Sequence, residues 1–154
     1  MRGLERGARV AGEPQNLLPL VTTPDFASAK AWCEANPDKI ATGYFPSKQL
    51  LNAWVAWRGA SLMTEHGIRL NCTNPGPTTT AMMPAFEAQN GKDLIDMFIG
   101  PSGRRSTPEE QAWPLVFLNS PRSSYVAAEA LHVDGGFLGA MVTGQVNVDL
   151  ANLG

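Results

Sequence analysis

The feature that most constrains the fold is a long helical segment that runs into a short strand and then into a proline-rich loop. Apolar residues recur at helical spacing from about residue 46 to His66, and Gly67 is a typical residue for ending a helix. Residues 68–73 then predict a strand, and Asn74-Pro75-Gly76-Pro77 can continue neither a helix nor a sheet ladder. In a parallel α/β sheet, ligands bind in the loops at the carboxyl ends of the strands. This loop is therefore either a ligand loop of an α/β fold or a proline-rich turn with incidental threonines.

A phenol and an ammonium stand at the start of that helix. Tyr44 and Lys48 are four residues apart, and in a helix this spacing places two side chains on one face. A neighbouring cation favours the phenolate and lowers the pKa of a tyrosine from its ordinary value of about 10. Such a pair can exchange a proton with a substrate as a general acid and base. Tyrosine and lysine at this spacing are also common as solvated surface pairs, so the spacing alone leaves both interpretations open.

Local signals predict three further elements: a short amphipathic helix over 25–36, a helix that begins after Thr107 and runs to Leu118, and a strand over 130–133. The second helix is the most clearly marked, because Thr107-Pro108-Glu109-Glu110 has the sequence of a capping box with proline at the first helical position. Residues 1–24 show no clear period and are predicted to be mostly loop.

In order and spacing these motifs resemble the short-chain dehydrogenase/reductase family. The resemblance rests on Tyr44 and Lys48 with Ser47 just before the lysine, on residues 67–80, and on Val133-Asp134-Gly135-Gly136. It implies the C-terminal part of a Rossmann-like, doubly wound parallel sheet whose N-terminal strands are missing from the sequence. The helical stretch ahead of Tyr44 is similar to that of the hydroxysteroid dehydrogenase/carbonyl reductase branch.

The chain is long enough for one ordinary domain. The resemblance divides this partial domain into an irregular start over 1–24, a helical insert over 25–40, the family core over 41–137 and a tail over 138–154. These boundaries are expectations from the sequence.

The resemblance implies an oxidoreductase that interconverts a ketone or aldehyde and an alcohol, with NAD or NADP as cofactor. Tyr44 would protonate the carbonyl oxygen in reduction, and Lys48 would lower the pKa of Tyr44 while binding the ribose hydroxyls of the nicotinamide half. The cofactor-binding residues that it implies are Tyr44, Lys48, Pro75, Gly76, Thr78 and Thr80. Of these, the proline and glycine would shape the loop, and the two threonines would offer hydrogen bonds to the carboxamide and phosphate.

Two parts of the family's apparatus have no clear counterpart. Family members have a strand ending in Ser-x-Ala-Gly, whose serine holds the substrate carbonyl, whereas Arg9-Val10-Ala11-Gly12 places Arg9 at the serine position. Remote candidates to replace the serine are Thr22, Thr23, Ser28 and Thr42. The glycine-rich strand-turn-helix that binds the cofactor pyrophosphate is also absent from the sequence.

Two hypotheses follow. In the first, these residues transfer hydride as part of a longer parent chain; in the second, the chain is a non-catalytic truncated fragment or a subunit-assembly module. Missing strands would leave apolar helix faces and an open sheet edge, so we expect a homo-oligomer, a dimer or tetramer, or self-association.

Trp54 and Trp57 are expected in the core or an interface. The apolar residues over 81–103 form either a substrate-covering segment suited to a hydrophobic ketone, such as a steroid, or part of the core.

The composition of the chain restricts the kinds of partner and the cellular compartment that we expect for it. The net charge is −2 and the basic residues are scattered apart from Arg104-Arg105, which argues against a nucleic-acid partner. The partner that the resemblance implies is a small carbonyl or alcohol substrate. The longest apolar runs are far too short to span a membrane. Cys33 and Cys72 are lone thiols, and no secretory signal pattern is evident, so a cytoplasmic setting is expected. His66 and His132 are isolated from each other and from any acid cluster, so no metal site is expected.

Overall fold

The computed structural model describes residues 16–40 and 43–146, except for the side chains of Tyr44, Phe45 and Asn90. The segment Arg9-Val10-Ala11-Gly12, Thr42 and the tail from residue 147 lie outside the described residues. In chain order the elements are α1 (Leu18–Val21), α2 (Phe26–Ala35), α3 (Pro37–Ile40), α4 (Tyr44–His66), β1 (Cys72–Pro75), α5 (Met83–Asn90), α6 (Lys92–Asp96), α7 (Pro108–Leu118), a 3-10 turn (Pro121–Ser123), β2 (Ala130–Val133) and α8 (Phe137–Val142).

The predicted helices form with small shifts at their ends. The first of them is α2, where the side chain of the N-cap Asp25 accepts a hydrogen bond from the Ser28 amide at 2.7 Å. The long helix α4 begins two residues before its predicted start and ends at Gly67, which has φ +66° and whose amide donates to the Met63 carbonyl. The capped helix α7 begins after Thr107, as predicted. These helix ends are set by local hydrogen bonds, which is why the sequence reveals them.

Two parallel strands form the sheet. β1 and β2 pair in a register that runs from Cys72 opposite Ala130 to Pro75 opposite Val133. The Cys72 amide donates to the Glu129 carbonyl at 2.9 Å, just before the paired residues begin. Among the described residues each strand has a single hydrogen-bonded neighbour. The α/β class and the parallel sheet are thus confirmed.

Both predicted ends of the first strand are wrong, because β1 runs from Cys72 to Pro75 and not from Ile68 to Thr73. Asn74 and Pro75 stay in the ladder opposite His132 and Val133. Every second residue of the strand donates to the same neighbour, as the Cys72 and Gly76 amides do here, so the missing N–H of Pro75 costs no bond of this ladder.

At the start of the strand, Asn71 accounts for the difference. Its side-chain oxygen accepts from the Glu129 amide at 3.1 Å, and its side-chain amide donates to the Val126 carbonyl at 3.1 Å. This side chain spans the two chain segments ahead of the ladder, and backbone pairing begins only after it.

Arg69 joins the segment before β1 to the end of α7. Its Nη1 donates to the Leu118 carbonyl at 2.8 Å and to the Ser123 carbonyl and hydroxyl at 3.0 and 2.9 Å. The last carbonyls of a helix have no partner within the helix, so a guanidinium here satisfies them. Because Ser123 is 1% exposed, this hydrogen-bonded group lies inside the protein and fixes α7 to the sheet.

Helix α4 crosses the sheet with its backbone in close contact at Gly59. A Cβ atom at Gly59 would lie 2.9 Å from Ala128 Cα and 3.1 Å from the Leu70 carbonyl oxygen. Seven residues earlier, Asn52 Oδ1 accepts a hydrogen bond from Cys72 Sγ at 3.6 Å. A residue nearer the start of α4 therefore lies beside a residue further along β1. The helix runs antiparallel to the strand, and its first turn lies towards the strand's carboxyl end.

A second packing centre holds α8 beneath the end of the sheet. Phe137 and Met141 are buried there and pack against Phe98, Leu138 and Val146. The rings of Phe98 and Phe137 are tilted, with centroids 5.4 Å apart. Within the part of the chain that the structure describes, no helix has both the length and the apolar character needed to cross a bilayer.

We expect Gly59→Ala to destabilise the protein, although alanine is the better helix former by up to about 1 kcal/mol. The new methyl group meets the Ala128 backbone at 2.9 Å, and overpacking of this kind typically costs about 1–3 kcal/mol. Urea unfolding should therefore show a net loss of about 1 kcal/mol. Gly139→Ala in α8 is the matched control, since a Cβ there meets no heavy atom within 4 Å, and it should be neutral or stabilising. Equal stability of the two variants would contradict the close packing of α4.

Candidate active site

Tyr44 and Lys48 occupy the start of α4, and the direction of the helix places them near the end of β1. Asn52 follows Lys48 by one turn on the same face and contacts Cys72, the first residue of β1. With a rise of about 1.5 Å per residue, Lys48 lies about 6 Å and Tyr44 about 12 Å beyond Asn52 along the helix. The four residues of β1 extend about 10 Å in the same direction. The start of α4 therefore stands level with the end of β1 and the loop that follows.

A glycine turn delivers the chain into this helix. Gly43 has φ +63° and ψ −67°, a backbone conformation that side chains disfavour. Its amide donates to the Ile40 carbonyl at 2.9 Å, and its own carbonyl accepts from the Ser47 amide at 3.2 Å. The turn thus closes α3 and opens α4 at Tyr44, with Lys48 on the exposed surface one turn later.

The loop after β1 is held in shape by hydrogen bonds within the protein. The Thr78 hydroxyl donates to the Gly76 carbonyl at 3.0 Å and lies 2.9 Å from the Ser106 hydroxyl. The Thr79 amide donates to the Ser106 carbonyl, and the Ser106 amide donates to the Pro77 carbonyl, both at 2.9 Å. This parallel bridge to Ser106 gives the loop a fixed conformation without a ligand.

The structure brings three of the predicted loop residues together and places the fourth slightly apart. Pro75 ends β1, and the Gly76 amide continues the pairing by donating to the Val133 carbonyl at 3.0 Å. Thr78 follows within the bridge. Thr80 is exposed and starts the turn into the next helix. Their contacts with a cofactor stay predictions, as do the roles of Tyr44 and Lys48.

The turn after β2 packs directly on this loop. A Cβ atom at Gly76 would lie 2.9 Å from Asp134 Cα, and one at Gly100 would lie 2.6 Å from the Gly135 carbonyl oxygen. Only glycine allows such contacts without displacing the neighbouring backbone. The Asp134 carboxylate in turn accepts hydrogen bonds from the amides of Gly136 and Leu138, both at 2.9 Å. The ends of both strands therefore meet as one packed surface.

A cavity of about 350 Å³ opens beside this surface, lined by the loop after β1, the end of β2, residues 99–104 and the first turn of α7. Gln111 lies in its wall, where Nε2 donates to Ser106 Oγ and to the Val133 carbonyl, both at 2.9 Å. Gln111 Oε1 is buried and has no hydrogen-bond partner among the described residues. Neither Gln111 nor Ser106 was predicted to belong to the site, because no local pattern marks a residue that lies about thirty positions from the loop.

An ion pair closes the rim of the cavity. Arg104 donates two hydrogen bonds to the Glu110 carboxylate, at 2.8 and 2.6 Å. The same carboxylate accepts from the Thr107 amide at 2.9 Å and completes the predicted capping box. The Arg104 hydrogen bond, followed by that of the Thr107 amide, lowers the pKa of Glu110 to about 2.

The two strands also carry a thiol, Cys72, and an imidazole, His132. Burial, and then the charge of Glu129, raises the pKa of Cys72, so its thiol stays protonated at neutral pH and donates to Asn52. His132 lies opposite Asn74 in the sheet, with its Nε2 3.3 Å from the Asn74 side-chain nitrogen. The described residues contain no group of three histidine, cysteine or acidic side chains arranged to hold a metal ion.

The chain is similar to known dehydrogenases and reductases over part of their length. A family model described as enoyl-(acyl carrier protein) reductase matches residues 30–138. The chain is 38% identical over 94 residues to the 3-alpha-hydroxysteroid dehydrogenase/carbonyl reductase of Comamonas testosteroni. The aligned region covers 60% of this chain and 36% of that protein. It is 36% identical over 95 residues to an L-rhamnose 1-dehydrogenase (NAD(P)(+)) of Sphingomonas sp., covering 62% of this chain and 37% of that protein. The chain thus spans little more than a third of the length of these relatives.

A solved structure shares the fold over most of the chain. The crystal structure of the 3-alpha-hydroxysteroid dehydrogenase from Pseudomonas sp. B-0831, complexed with NADH, superposes with a TM-score of 0.62 at 26% identity. The superposition covers 92% of this chain and 55% of that one. The architecture described above is therefore part of a larger known fold.

The pKa of Glu110 makes its contribution to stability depend on pH. The pKa falls from 4.5 to about 2 on folding, so the stabilisation is present above about pH 4.5 and is lost as the pH falls towards 2. Glu110→Gln keeps an acceptor for the Thr107 amide but removes the charge. We expect the variant to be less stable than the wild type at pH 7 and the difference to shrink as the pH falls towards 2, as measured by urea unfolding.

Glu109→Gln is the control for this experiment. Glu109 lies in the same helical turn, and no ion pair of its carboxylate is seen among the described residues. Its replacement should leave the difference from the wild type nearly constant across the same pH range. The same pH dependence in both variants would mean that the Arg104 pair is not its source.

Proposed function

We propose that this chain, which belongs to the short-chain dehydrogenase/reductase family, supplies the proton-transfer and nicotinamide side of the active site of an NAD- or NADP-dependent oxidoreductase. The observation that carries the proposal is the antiparallel run of α4 along β1. It sets Tyr44 and Lys48 at the same end of the sheet as the loop that begins at Gly76. Active sites of open α/β sheets lie at this end of the strands.

The proposed reaction is the interconversion of a ketone or aldehyde and an alcohol. The nicotinamide cofactor, when bound, accepts or donates the hydride. In reduction, the Tyr44 hydroxyl gives its proton to the carbonyl oxygen as the hydride reaches the carbon, and an alcohol results. The Lys48 ammonium stabilises the phenolate that remains and holds the ribose hydroxyls of the cofactor. In oxidation the phenolate takes the proton back.

The residues at this end of the sheet suit a nicotinamide nucleotide. The loop over 76–80 has its conformation fixed by its own hydrogen bonds, so little ordering is needed when a ligand binds. Thr80 is exposed beside it, and Lys48 is exposed on α4. A hydroxyl and an ammonium can donate hydrogen bonds to carboxamide, ribose and phosphate oxygens.

The choice of cofactor and substrate is proposed from the relatives. The Pseudomonas structure is a complex with NADH, and the name of the Sphingomonas dehydrogenase includes NAD(P)(+), so we propose NAD or NADP. Two relatives are named 3-alpha-hydroxysteroid dehydrogenases. Together with the partly exposed Phe86 and Met97 in the chain segment that follows the loop, these names favour a hydrophobic ketone, steroids included, as the substrate class.

We further propose that these residues act within a longer polypeptide, because the curated relatives are much longer and the glycine-rich pyrophosphate motif is absent from the sequence. The free thiols of Cys33 and Cys72 favour a reducing, cytoplasmic setting. The alternative is a non-catalytic fragment or assembly module.

Exposed tryptophans favour self-association in either case. Trp113 is 69% exposed on α7, and Trp54 and Trp57 are each 41% exposed on α4.

Replacing Tyr44 tests the catalytic proposal. In a longer gene product that contains these residues, Tyr44→Phe removes the transferable proton, so kcat for ketone reduction should fall by a factor of about 100 to 10,000. The fall is measured by following the absorbance of the reduced cofactor. Tyr125→Phe is the matched control, because Tyr125 is fully exposed, and it should leave kcat unchanged.

Two results would speak against the proposal. An unchanged kcat in Tyr44→Phe would remove this residue from the chemistry, and a longer product without turnover would favour the assembly module. For the 154-residue chain alone, we expect no saturable binding of NADH or NADPH up to about 1 mM, the upper end of typical KM values.

A further inference from the structure

The side chain of Gln111 contains a buried oxygen atom without a hydrogen-bond partner. It lines the cavity beside the loop, and its Oε1 has no partner among the described residues. Both hydrogens of its Nε2, in contrast, are donated, one to Ser106 Oγ and one to the Val133 carbonyl, each at 2.9 Å. Buried acceptors without a partner are uncommon, because they lower the stability of the folded state. Such exceptions are expected at functional sites.

The Val133 carbonyl determines which way the Gln111 amide faces. A carbonyl oxygen can only accept hydrogen bonds, so turning the amide over would place two acceptor oxygens at the 2.9 Å that the hydrogen bond now spans. The same carbonyl accepts from the Gly76 amide at 3.0 Å, the bond that extends the strand pairing. Nε2 is therefore held against the end of the sheet, and Oε1 is left on the side that offers no donor.

The Gln111 amide also fixes the direction in which the Ser106 hydroxyl donates. Because Gln111 donates to Ser106 Oγ, the hydrogen of this hydroxyl must point to another acceptor. Two acceptors lie within reach, the Pro77 carbonyl at 3.2 Å and Thr78 Oγ1 at 2.9 Å. Both belong to the loop after β1. The Ser106 hydroxyl is thus a donor to the loop in either case.

Backbone hydrogen bonds join the same two segments. The Ser106 amide donates to the Pro77 carbonyl, and the Thr79 amide donates to the Ser106 carbonyl, both at 2.9 Å. A hydrogen-bonded path therefore runs from the end of the sheet through Gln111 and Ser106 to the loop, and each member orients the next. Gln111 lies in α7, whose start is fixed by the capping box at Thr107. The path is thus anchored to a well-defined helix.

We infer that Gln111 is a positioning residue of the proposed cofactor loop: it directs the Ser106 hydroxyl towards the loop and so holds residues 77–79 in the conformation that receives the nicotinamide half of the cofactor. This inference rests on the proposed function. Gln111 acts through Ser106 and takes no part in proton or hydride transfer. An apolar side chain at position 111 would bury no unpartnered oxygen, but it would supply neither of the two hydrogen bonds.

Gln111→Met separates this role from a contribution to overall stability. Methionine is similarly long and unbranched, so it fills the same space while removing both donors and the unpartnered acceptor. The Val133 carbonyl and the Ser106 hydroxyl each keep another hydrogen-bond partner. We therefore expect the midpoint of urea unfolding to stay nearly constant. In amide hydrogen exchange of the 154-residue chain, the Thr79 and Ser106 amides should exchange about three to ten times faster.

Two comparisons make this measurement specific to the loop. The amides of Cys72, at the start of the strand pairing, and of Gly67, at the end of α4, should keep their exchange rates. Gln145→Met is the matched control variant, because Gln145 is exposed and its side chain donates to Thr143 near the end of α8. It should leave the exchange of the loop amides unchanged.

Ser106→Ala tests the path through which Gln111 acts. Since the hydroxyl bond to the loop is lost, this variant should also speed exchange of the Thr79 amide. Adding Gln111→Met to Ser106→Ala should then cause little further acceleration, because the group through which Gln111 acts is already gone.

Cofactor kinetics of a longer gene product that contains these residues give the functional readout. Gln111→Met should raise KM for the reduced cofactor about three- to tenfold, because the loop must then be ordered when the cofactor binds. At saturating cofactor, kcat should stay within about twofold of the wild type, since Tyr44 and Lys48 lie on α4 and are untouched.

Four results would overturn the inference. They are unchanged exchange of the Thr79 amide in Gln111→Met, equal acceleration of the Cys72 and Gly67 amides, full additivity of Gln111→Met and Ser106→Ala, and a fall in kcat with unchanged KM. Hydrogen exchange requires neither cofactor nor turnover, so a failed Tyr44→Phe experiment leaves the exchange test intact. Failure of the exchange test, in turn, would leave the proposed proton transfer untouched.

Discussion

The pairing of two parallel strands is the constraint on which the rest of the structure depends. β1 and β2 are joined from Cys72 opposite Ala130 to Pro75 opposite Val133, and the Gly76 amide extends the pairing by one more bond. At that point the two chains separate into the loop after β1 and the turn after β2. Glycine at position 76 lets the turn approach to within van der Waals contact. The ends of the strands are thus held as one surface, and the cavity and the start of α4 are arranged around it.

Side chains from distant parts of the sequence lock this pair in place. Arg69 fastens the approach to β1 onto the last carbonyls of α7, Asn71 spans the two segments ahead of the ladder, and Gly59 lets α4 lie directly on them. These contacts fix the direction of α4, and the direction of α4 determines which end of the sheet Tyr44 and Lys48 occupy. The proposed chemistry therefore depends on contacts at the opposite end of the strands from the reacting groups.

The sequence predicted those parts of the fold and site that local chemistry determines. The capping box at Thr107 and the helix end at Gly67 each depend on residues within one turn, and both were identified correctly. The start of β1 was misjudged because it is set by the contacts of Asn71 more than fifty residues away. Gln111 and Ser106 were missed for the same reason, since their partners are brought close only by the fold. Asn52 could have been found, because it continues the four-residue spacing of Tyr44 and Lys48.

The central claim is that the loop after β1 and the start of α4 form one surface for the nicotinamide half of a cofactor. Titration of an isotopically labelled longer gene product that contains these residues with nicotinamide mononucleotide, followed through amide chemical shifts, tests it most directly. The account predicts that the amides of Gly76, Thr78 and Lys48 shift together with one dissociation constant, and that adenosine monophosphate leaves them unchanged. Unchanged amides with nicotinamide mononucleotide, or the same response to adenosine monophosphate, would contradict the account.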